Sequence, residues 1–271
     1  MEKVALITGG SGGIGFEIAQ LFAKDKINVV LVARSLNKLQ KAKQLIENQF
    51  GVKVYILDTD LSVIEGLDGI KTLCSKNNLR VEYLVNNAGF GDYGALVDRS
   101  IEKYREMIGL NISMLTELTY YYAKKMVANG SGKILNVASV AGIQPVPHLA
   151  VYAASKAYVI SFTEALHKEL EQTGVSATVL SPGVTETGFM DRADMASTQI
   201  YRSGVMQPNV VAKAGYIGMM NGKLQVIPGF KHKLMGLPIG YDTIKPNAAY
   251  PFGLFHEKSK TIIENAMIRR N

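Results

Sequence analysis

Apolar residues recur along this chain in two alternating rhythms. Short, mostly apolar runs at residues 4–7, 29–32, 54–57, 81–85, 134–137 and 177–180 have the length of strands buried on both faces. Between them the spacing turns helical. Ile14, Ile18, Leu21 and Phe22 share one face over 14–23, and Leu39, Ala42, Leu45 and Ile46 share one over 37–50. Strands alternating with helices call for a parallel sheet covered on both sides, because parallel neighbours need crossover connections. With right-handed crossovers this predicts an α/β fold, a single Rossmann-type doubly wound parallel sheet with helices on both faces. Long helices are expected around 100–128 and 152–172, a last short strand at 226–228 and a closing helix at 259–270. That helix carries Ile262, Ile263, Ala266 and Met267 on one face, as core or subunit packing requires.

No Pro- or Ser-rich linker divides the chain, no fixed period repeats, and the first proline is Pro145, so one domain over 1–271 is expected. Within it, 184–250 gathers Gly, Pro and Met (Met190, Met195, Met206, Met219, Met220, Met235) and reads as a substrate loop or lid with a C-terminal extension. The 271 residues are 47% hydrophobic and 20% charged, which fits a soluble globular chain. The single cysteine, Cys74, forms no intrachain disulfide and reads as a small apolar filler. The four histidines, His148, His167, His232 and His256, show no metal-ligand spacing, so no metal is expected. The N-terminal apolar run reaches glycine too soon for a signal peptide, and nothing approaches the ~20 apolar residues of a membrane span, so a cytoplasmic setting without stable membrane insertion is expected. Net charge is +7, and residues 222–271 hold eight Lys/Arg against three Asp/Glu. Without interleaved aromatics or a reading motif this basic tail does not predict nucleic-acid binding; it reads as a solvated or interfacial surface.

Three patterns carry chemistry. The first strand runs into Thr8-Gly9-Gly10-Ser11-Gly12-Gly13-Ile14-Gly15. Glycines between a strand and a helix give a tight turn, and backbone N–H groups beside the helix N-terminus can receive a pyrophosphate. Such a loop in this context predicts a dinucleotide site. The second strand ends in Ala33-Arg34-Ser35, with Lys38 one turn on, where NAD-binding folds place a carboxylate for the ribose hydroxyls. A guanidinium there can bind a 2′-phosphate through paired charge-assisted hydrogen bonds, which favours NADP over NAD. Finally, Tyr152 and Lys156 lie four apart and so share a helix face, and Ser139 ends a strand thirteen positions earlier. A nearby ammonium is expected to acidify the phenol.

With TGGSGGIG (8–15), NNAG (86–89), Asn111, Ser139, YAASK (152–156) and Pro182-Gly183 in this order, the chain resembles the short-chain dehydrogenase/reductase family over roughly residues 3–190. The resemblance implies that Tyr152 is the general acid or base, that Lys156 assists it and binds the nicotinamide ribose, that Ser139 holds the substrate oxygen and that Asn111 positions a water in a proton relay. For the cofactor it implies Gly9, Ser11, Gly12, Gly13, Ile14 and Gly15 at the pyrophosphate. Arg34 and Ser35 would lie at the adenosine ribose, Asp60 and Leu61 at the adenine, and Asn87, Ala88 and Gly89 beside the adenosine ribose. Pro182 and Gly183 would lie beside the nicotinamide, and Thr185 or Thr187 would meet its amide or the pyrophosphate. Asp60 could equally cap the helix that follows it. His148, between Ser139 and Tyr152, reads as a bland loop residue.

The function expected from these readings is an NADP(H)-dependent carbonyl reductase or alcohol dehydrogenase built as one dinucleotide-binding catalytic domain and working as a homodimer or homotetramer. Phe90, Tyr93, Val140, Val146, Phe189 and Met190 are mostly apolar candidates for the pocket wall, which points to a hydrophobic ketone, aldehyde or 3-oxoacyl-type small-molecule substrate. Two rivals are a catalytically silent NADP-binding regulator of the same fold and a sugar-nucleotide epimerase or dehydratase. The intact Ser139, Tyr152 and Lys156 argue against the first, and the lack of a larger C-terminal substrate domain against the second.

Overall fold

The computed structural model describes residues 1–63, 65–189, 193 and 205–229. Seven parallel strands, β1 (Glu2–Thr8), β2 (Asn28–Ala33), β3 (Val54–Asp58), β4 (Leu79–Asn86), β5 (Gly132–Val137), β6 (Val175–Leu180) and β7 (Gln225–Val226), form one sheet in the order β3-β2-β1-β4-β5-β6-β7. The helices are α1 (Gly13–Lys24), α2 (Leu36–Phe50), α3 (Glu65–Lys76), α4 (Ile101–Ile108), α5 (Leu115–Ala128), α6 (Ala150–Glu169) and α7 (Pro208–Met220). Successive side chains on a strand point to opposite faces, and β1 shows the result. Ala5 and Ile7 pack into a core with α1, α2 and α7, while Val4 and Leu6 pack into another with α3 and α5. The fold is the doubly wound α/β sheet that the alternating rhythm predicts. Strand order reverses between β1 and β4, and in open α/β sheets ligands bind at that switch point, beyond the strands' C-terminal ends.

Local chemistry fixes where the elements begin and end. Ser35 caps α2 by accepting the Lys38 N–H, and Gly51 closes it in the left-handed conformation with φ 66°. Ser100 caps α4 in the same way through the Lys103 N–H. The expected helix over 100–128 is interrupted by a π-helical turn, Gly109–Met114, between α4 and α5. Two further expectations shift. The last strand is Gln225–Val226 and excludes Pro228, which lacks the N–H a ladder needs. The segment read as loop from 184 contains α7, whose Val211, Ala212, Tyr216 and Met219 join the core, with the Tyr216 ring edge-on to Phe22 at 4.9 Å. Met206 and Met220 pack against that core. Met190, Met195, Met235, the closing helix and most of the basic tail lie outside the described residues. Cys74 is buried on α3 with its thiol 3.8 Å from the Tyr122 hydroxyl. Among the described residues no helix is long and apolar enough to cross a membrane.

Candidate active site

The β1–α1 loop is shaped by what it must leave out. Gly9 has φ 65°, and a Cβ there would stand 2.7 Å from Asn87 Nδ2. That amide donates to Thr8 O (3.0 Å) and Gly9 O (3.3 Å), while Thr8 Oγ1 accepts from Asn87 N and Ala88 N, both at 3.0 Å. Asn87 therefore buttresses the glycine loop with its side chain, and Thr8, which the motif reading passed over, stitches β1 to the end of β4. In contrast to α2 and α4, α1 begins at Gly12 with no side-chain cap and no acidic residue in its first turn. A Cβ at Gly12 would meet nothing within 4 Å. Uncapped N–H groups at a helix N-terminus, open on one side, suit an anion. Thr187 reaches across to Gly13, where a Cβ would stand 2.9 Å from its methyl group.

Beside this loop, Ser11 and Phe16 line a shallow cleft with Lys38, Lys41, Ala42 and Leu45. Arg34, at the end of β2, is half-exposed, with its guanidinium 3.9 Å from the Asp60 carboxylate. Burial pushes the Asp60 carboxyl up, but hydrogen bonds from Ser62 N (2.8 Å) and Ser62 Oγ (2.7 Å), with Arg34 nearby, hold it below its usual range. The Asp60 side chain is thus engaged in a local turn with Ser62, ahead of α3, which begins at Glu65. The Leu61 side chain is buried in the core, so only its backbone is left to face an adenine. The Ser35 hydroxyl is taken by the α2 cap, and Ile14 packs on the core.

At the ends of β4, β5 and β6 the remaining residues converge. Ser139 follows β5 and is buried; its Oγ accepts from Ala141 N at 3.1 Å, and it stands close enough to Tyr152 to pull the phenol's pKa down. Val140 N donates to Pro182 O (3.0 Å), which brings the Pro182-Gly183 turn alongside. Thr185 Oγ1 donates back to Gly183 O at 3.0 Å. From α6, Tyr152 and Lys156 point into this space, with Lys156 Nζ 5.8 Å from the Tyr152 ring centre and donating to Val137 O at 2.9 Å. Burial dominates both groups. It pushes the Tyr152 phenol up to about 12 against a partial pull from Ser139, and it lowers the Lys156 ammonium to about 8. This differs from the expectation that Lys156 acidifies the phenol, because loss of water disfavours charge of either sign and outweighs their mutual effect. The phenol is consequently protonated throughout the neutral range.

Asn111 lies in the π-helical turn and is fully buried. Its Nδ2 donates to Phe90 O (3.0 Å) and Ser155 Oγ (3.1 Å), and its Oδ1 accepts from Phe90 N at 3.2 Å. Both amide hydrogens are therefore occupied, which leaves only oxygen lone pairs to address a relay water. At Gly89 a Cβ would stand 3.0 Å from Asn111 Oδ1 and 3.3 Å from Lys156 Nζ, so the two groups border one narrow gap. Phe90, Val146, Leu149, Tyr104, Met107 and Tyr152 form an apolar cluster flanked by Tyr93, Val184 and Phe189. Phe189 packs on Tyr152 with ring centres 5.4 Å apart. Of the six expected wall residues, Val140 stands outside this cluster and Met190 outside the described residues. Sequence reasoning missed Leu149, Tyr104 and Met107, which carry no motif signal, and Ser155, which lies inside YAASK but was given no role of its own. His148 is exposed, its ring 5.5 Å from Tyr93.

A sequence model described as short chain dehydrogenase matches residues 3–197. A ketoacyl reductase of Nostoc is 31% identical over 226 residues, covering 83% of this chain and 78% of the relative. A short-chain dehydrogenase from Sphingobium yanoikuyae, solved in complex with NADPH, superposes with a TM-score of 0.79 at 30% identity, covering 93% of this chain and 99% of the other. A bulky-bulky ketone specific alcohol dehydrogenase from Comamonas testosteroni gives a TM-score of 0.73 at 25% identity, covering 99% and 92%.

Proposed function

The chain belongs to the short chain dehydrogenase family, and from that premise we propose that it is an NADP(H)-dependent oxidoreductase acting on a hydrophobic ketone, aldehyde or 3-oxoacyl-type carbonyl. The observation that carries this reading is a buried, protonated Tyr152 phenol, acted on by Ser139, beside an apolar cluster. NADPH, when bound, supplies the hydride. The residues for holding it are present. The uncapped start of α1 with Gly9, Ser11, Gly12, Gly13 and Gly15 suits the pyrophosphate, and Arg34 with Lys38 suits a 2′-phosphate. Arg34's half-exposed pairing with Asp60 is of the kind worth little in water, so it leaves the guanidinium available.

The chain's own part is to orient, protonate and exclude water. Ser139 and Tyr152 offer hydroxyl donors to one carbonyl oxygen, and their hydrogen bonds strengthen as negative charge grows there, which lowers the barrier. Tyr152 transfers its proton to that oxygen. Lys156, charged below about pH 8, favours the phenolate left behind. Phe90, Val146, Leu149 and Phe189 keep the centre dry, which suits a hydrophobic carbonyl, and the ketoacyl and bulky-bulky ketone specificities in the names of the Nostoc and Comamonas relatives fall in the same carbonyl class. The exposed Tyr120 on α5 and the Tyr158–Phe162 stack on α6 support assembly as a homodimer or homotetramer.

The deciding experiment measures NADPH oxidation across a panel of ketones and aldehydes with wild type and Tyr152→Phe. Wild-type turnover that falls by about 100-fold or more in Tyr152→Phe is expected. A variant that keeps more than a tenth of the rate removes Tyr152 as the acid. Stoichiometric NADPH binding with no turnover on any carbonyl would instead make the chain a cofactor-binding regulator.

A further inference from the structure

We infer that Ser155 is a positioning residue for the Tyr152 phenol, because its hydroxyl closes a hydrogen-bonded circuit that holds that tyrosine from both its backbone and its ring. The inference rests on the reading of Tyr152 as the proton donor. Ser155 is 1% exposed on the first turns of α6. A serine inside a helix commonly donates to a carbonyl one turn back, and Ser155 does so to Tyr152 O at 2.7 Å. Ser155 Oγ also accepts from Asn111 Nδ2, across the site, at 3.1 Å. Asn111 in turn grips Phe90 through both its backbone groups.

The chain then continues from Phe90 to Gly91, where the circuit returns to its start. A Cβ on Gly91 would lie 3.3 Å from Tyr152 Cδ2 and 2.9 Å from Phe189 Cζ, so the peptide rests against the phenol ring itself. The backbone of Tyr152 and the wall that fixes its ring are thereby locked together through Ser155 and Asn111. Alanine at 155 cannot accept from Asn111, which leaves a buried amide hydrogen without a partner and frees the 90–91 wall to shift. A misplacement of about 1 Å at a proton donor costs rate steeply, whereas the groups suited to the cofactor's phosphates, at the start of α1 and at Arg34, lie outside the circuit.

The test uses Ser155→Ala and Ser155→Cys, the second keeping the shape with weaker hydrogen bonds. Carbonyl reduction and amide hydrogen exchange are both measured. For Ser155→Ala, kcat is expected to fall by about tenfold with KM for NADPH within about twofold, and Ser155→Cys should fall between it and wild type. Exchange at the Phe90 and Gly91 amides should accelerate while β1 and β6 amides keep their protection. Wild-type kcat in Ser155→Ala, unchanged exchange at Phe90, or acceleration spread evenly over the sheet would each overturn the inference. Should wild type oxidise no NADPH, the proposed function fails, and exchange at Phe90 alone then decides whether the circuit exists.

Discussion

The two edges of the sheet bury polar groups in opposite ways. At the N-terminal edge, Glu82 on β4 is 5% exposed and surrounded by partners: the Ser131 hydroxyl, Arg80 at 3.0 Å and Lys3 at 3.4 Å. Burial pushes its carboxyl up, but these donors together hold it below its usual range. At the C-terminal edge, Tyr152 and Lys156 are buried just as deeply, yet among the described residues the ammonium makes no ion pair and donates only to the Val137 carbonyl. The same loss of water is compensated at one edge and left standing at the other. Compensation yields stability; its absence yields a proton donor and a lysine that titrates near neutrality, which is where perturbed groups become chemically useful.

The comparison breaks most visibly at Lys156. Its ammonium titrates at about 8 in the fold against an ordinary 10.5, so between those values the unfolded chain binds more protons and stability rises with pH. At neutral pH the charge is therefore a cost to folding. Lys156→Met is expected to lower kcat by about 100-fold or more while raising unfolding free energy by about 2 kcal/mol. In wild type, reduction should decline as pH rises through about 8, where the ammonium is lost. Calorimetry on Lys156→Met and a pH–rate profile check both. A destabilised Lys156→Met would show that the C-terminal edge is compensated after all.

Glu82 should respond in mirror image. Glu82→Gln keeps the shape but removes the charge that Lys3, Arg80 and Ser131 surround, and a loss of about 2 kcal/mol is expected in urea unfolding. Turnover per folded molecule should not change. The pH sign follows from the lowered carboxyl. Its stabilisation is complete above the ordinary value of 4.5 and is lost as pH falls through the lower folded value. A Glu82→Gln variant as stable as wild type at neutral pH, or one that loses activity per folded molecule, would dissolve the contrast between the edges.

Much of this arrangement is readable from residue order. Buried parallel strands are apolar on both faces, so β1 to β6 announce themselves, and the spacing of Tyr152 and Lys156 places them on one helix face. Helix α7 was hidden by its glycines, which sit where the helix presses on the sheet. A Cβ at Gly215 would stand 2.7 Å from Leu180 Cδ2, so a packing requirement reads as loop composition. The π-helical turn has no periodic signature at all, and Ser155 emerges only once that turn has aimed Asn111 at it. The direction of the Tyr152 shift was likewise out of reach, since it depends on burial that Phe189 and Gly91 complete from distant parts of the chain.

Arg34 offers the finest cut, because its pairing with Asp60 lies at the C-terminal edge and yet is compensated. Both side chains are about half-exposed and the separation is 3.9 Å, so water screens the pair and neither partner depends on the other for stability. Arg34→Ala should change unfolding free energy by less than about 0.5 kcal/mol. For a 2′-phosphate the guanidinium offers paired, charge-assisted donors, and their loss is expected to weaken NADPH binding by about tenfold. NADH, which has no 2′-phosphate, should bind Arg34→Ala and wild type alike. Titration of both dinucleotides reads the difference directly. Equal losses for the two would mean that Arg34 serves the loop's shape and that 2′-phosphate selection lies with other groups, such as the Lys38 and Lys41 amines beside Ser11.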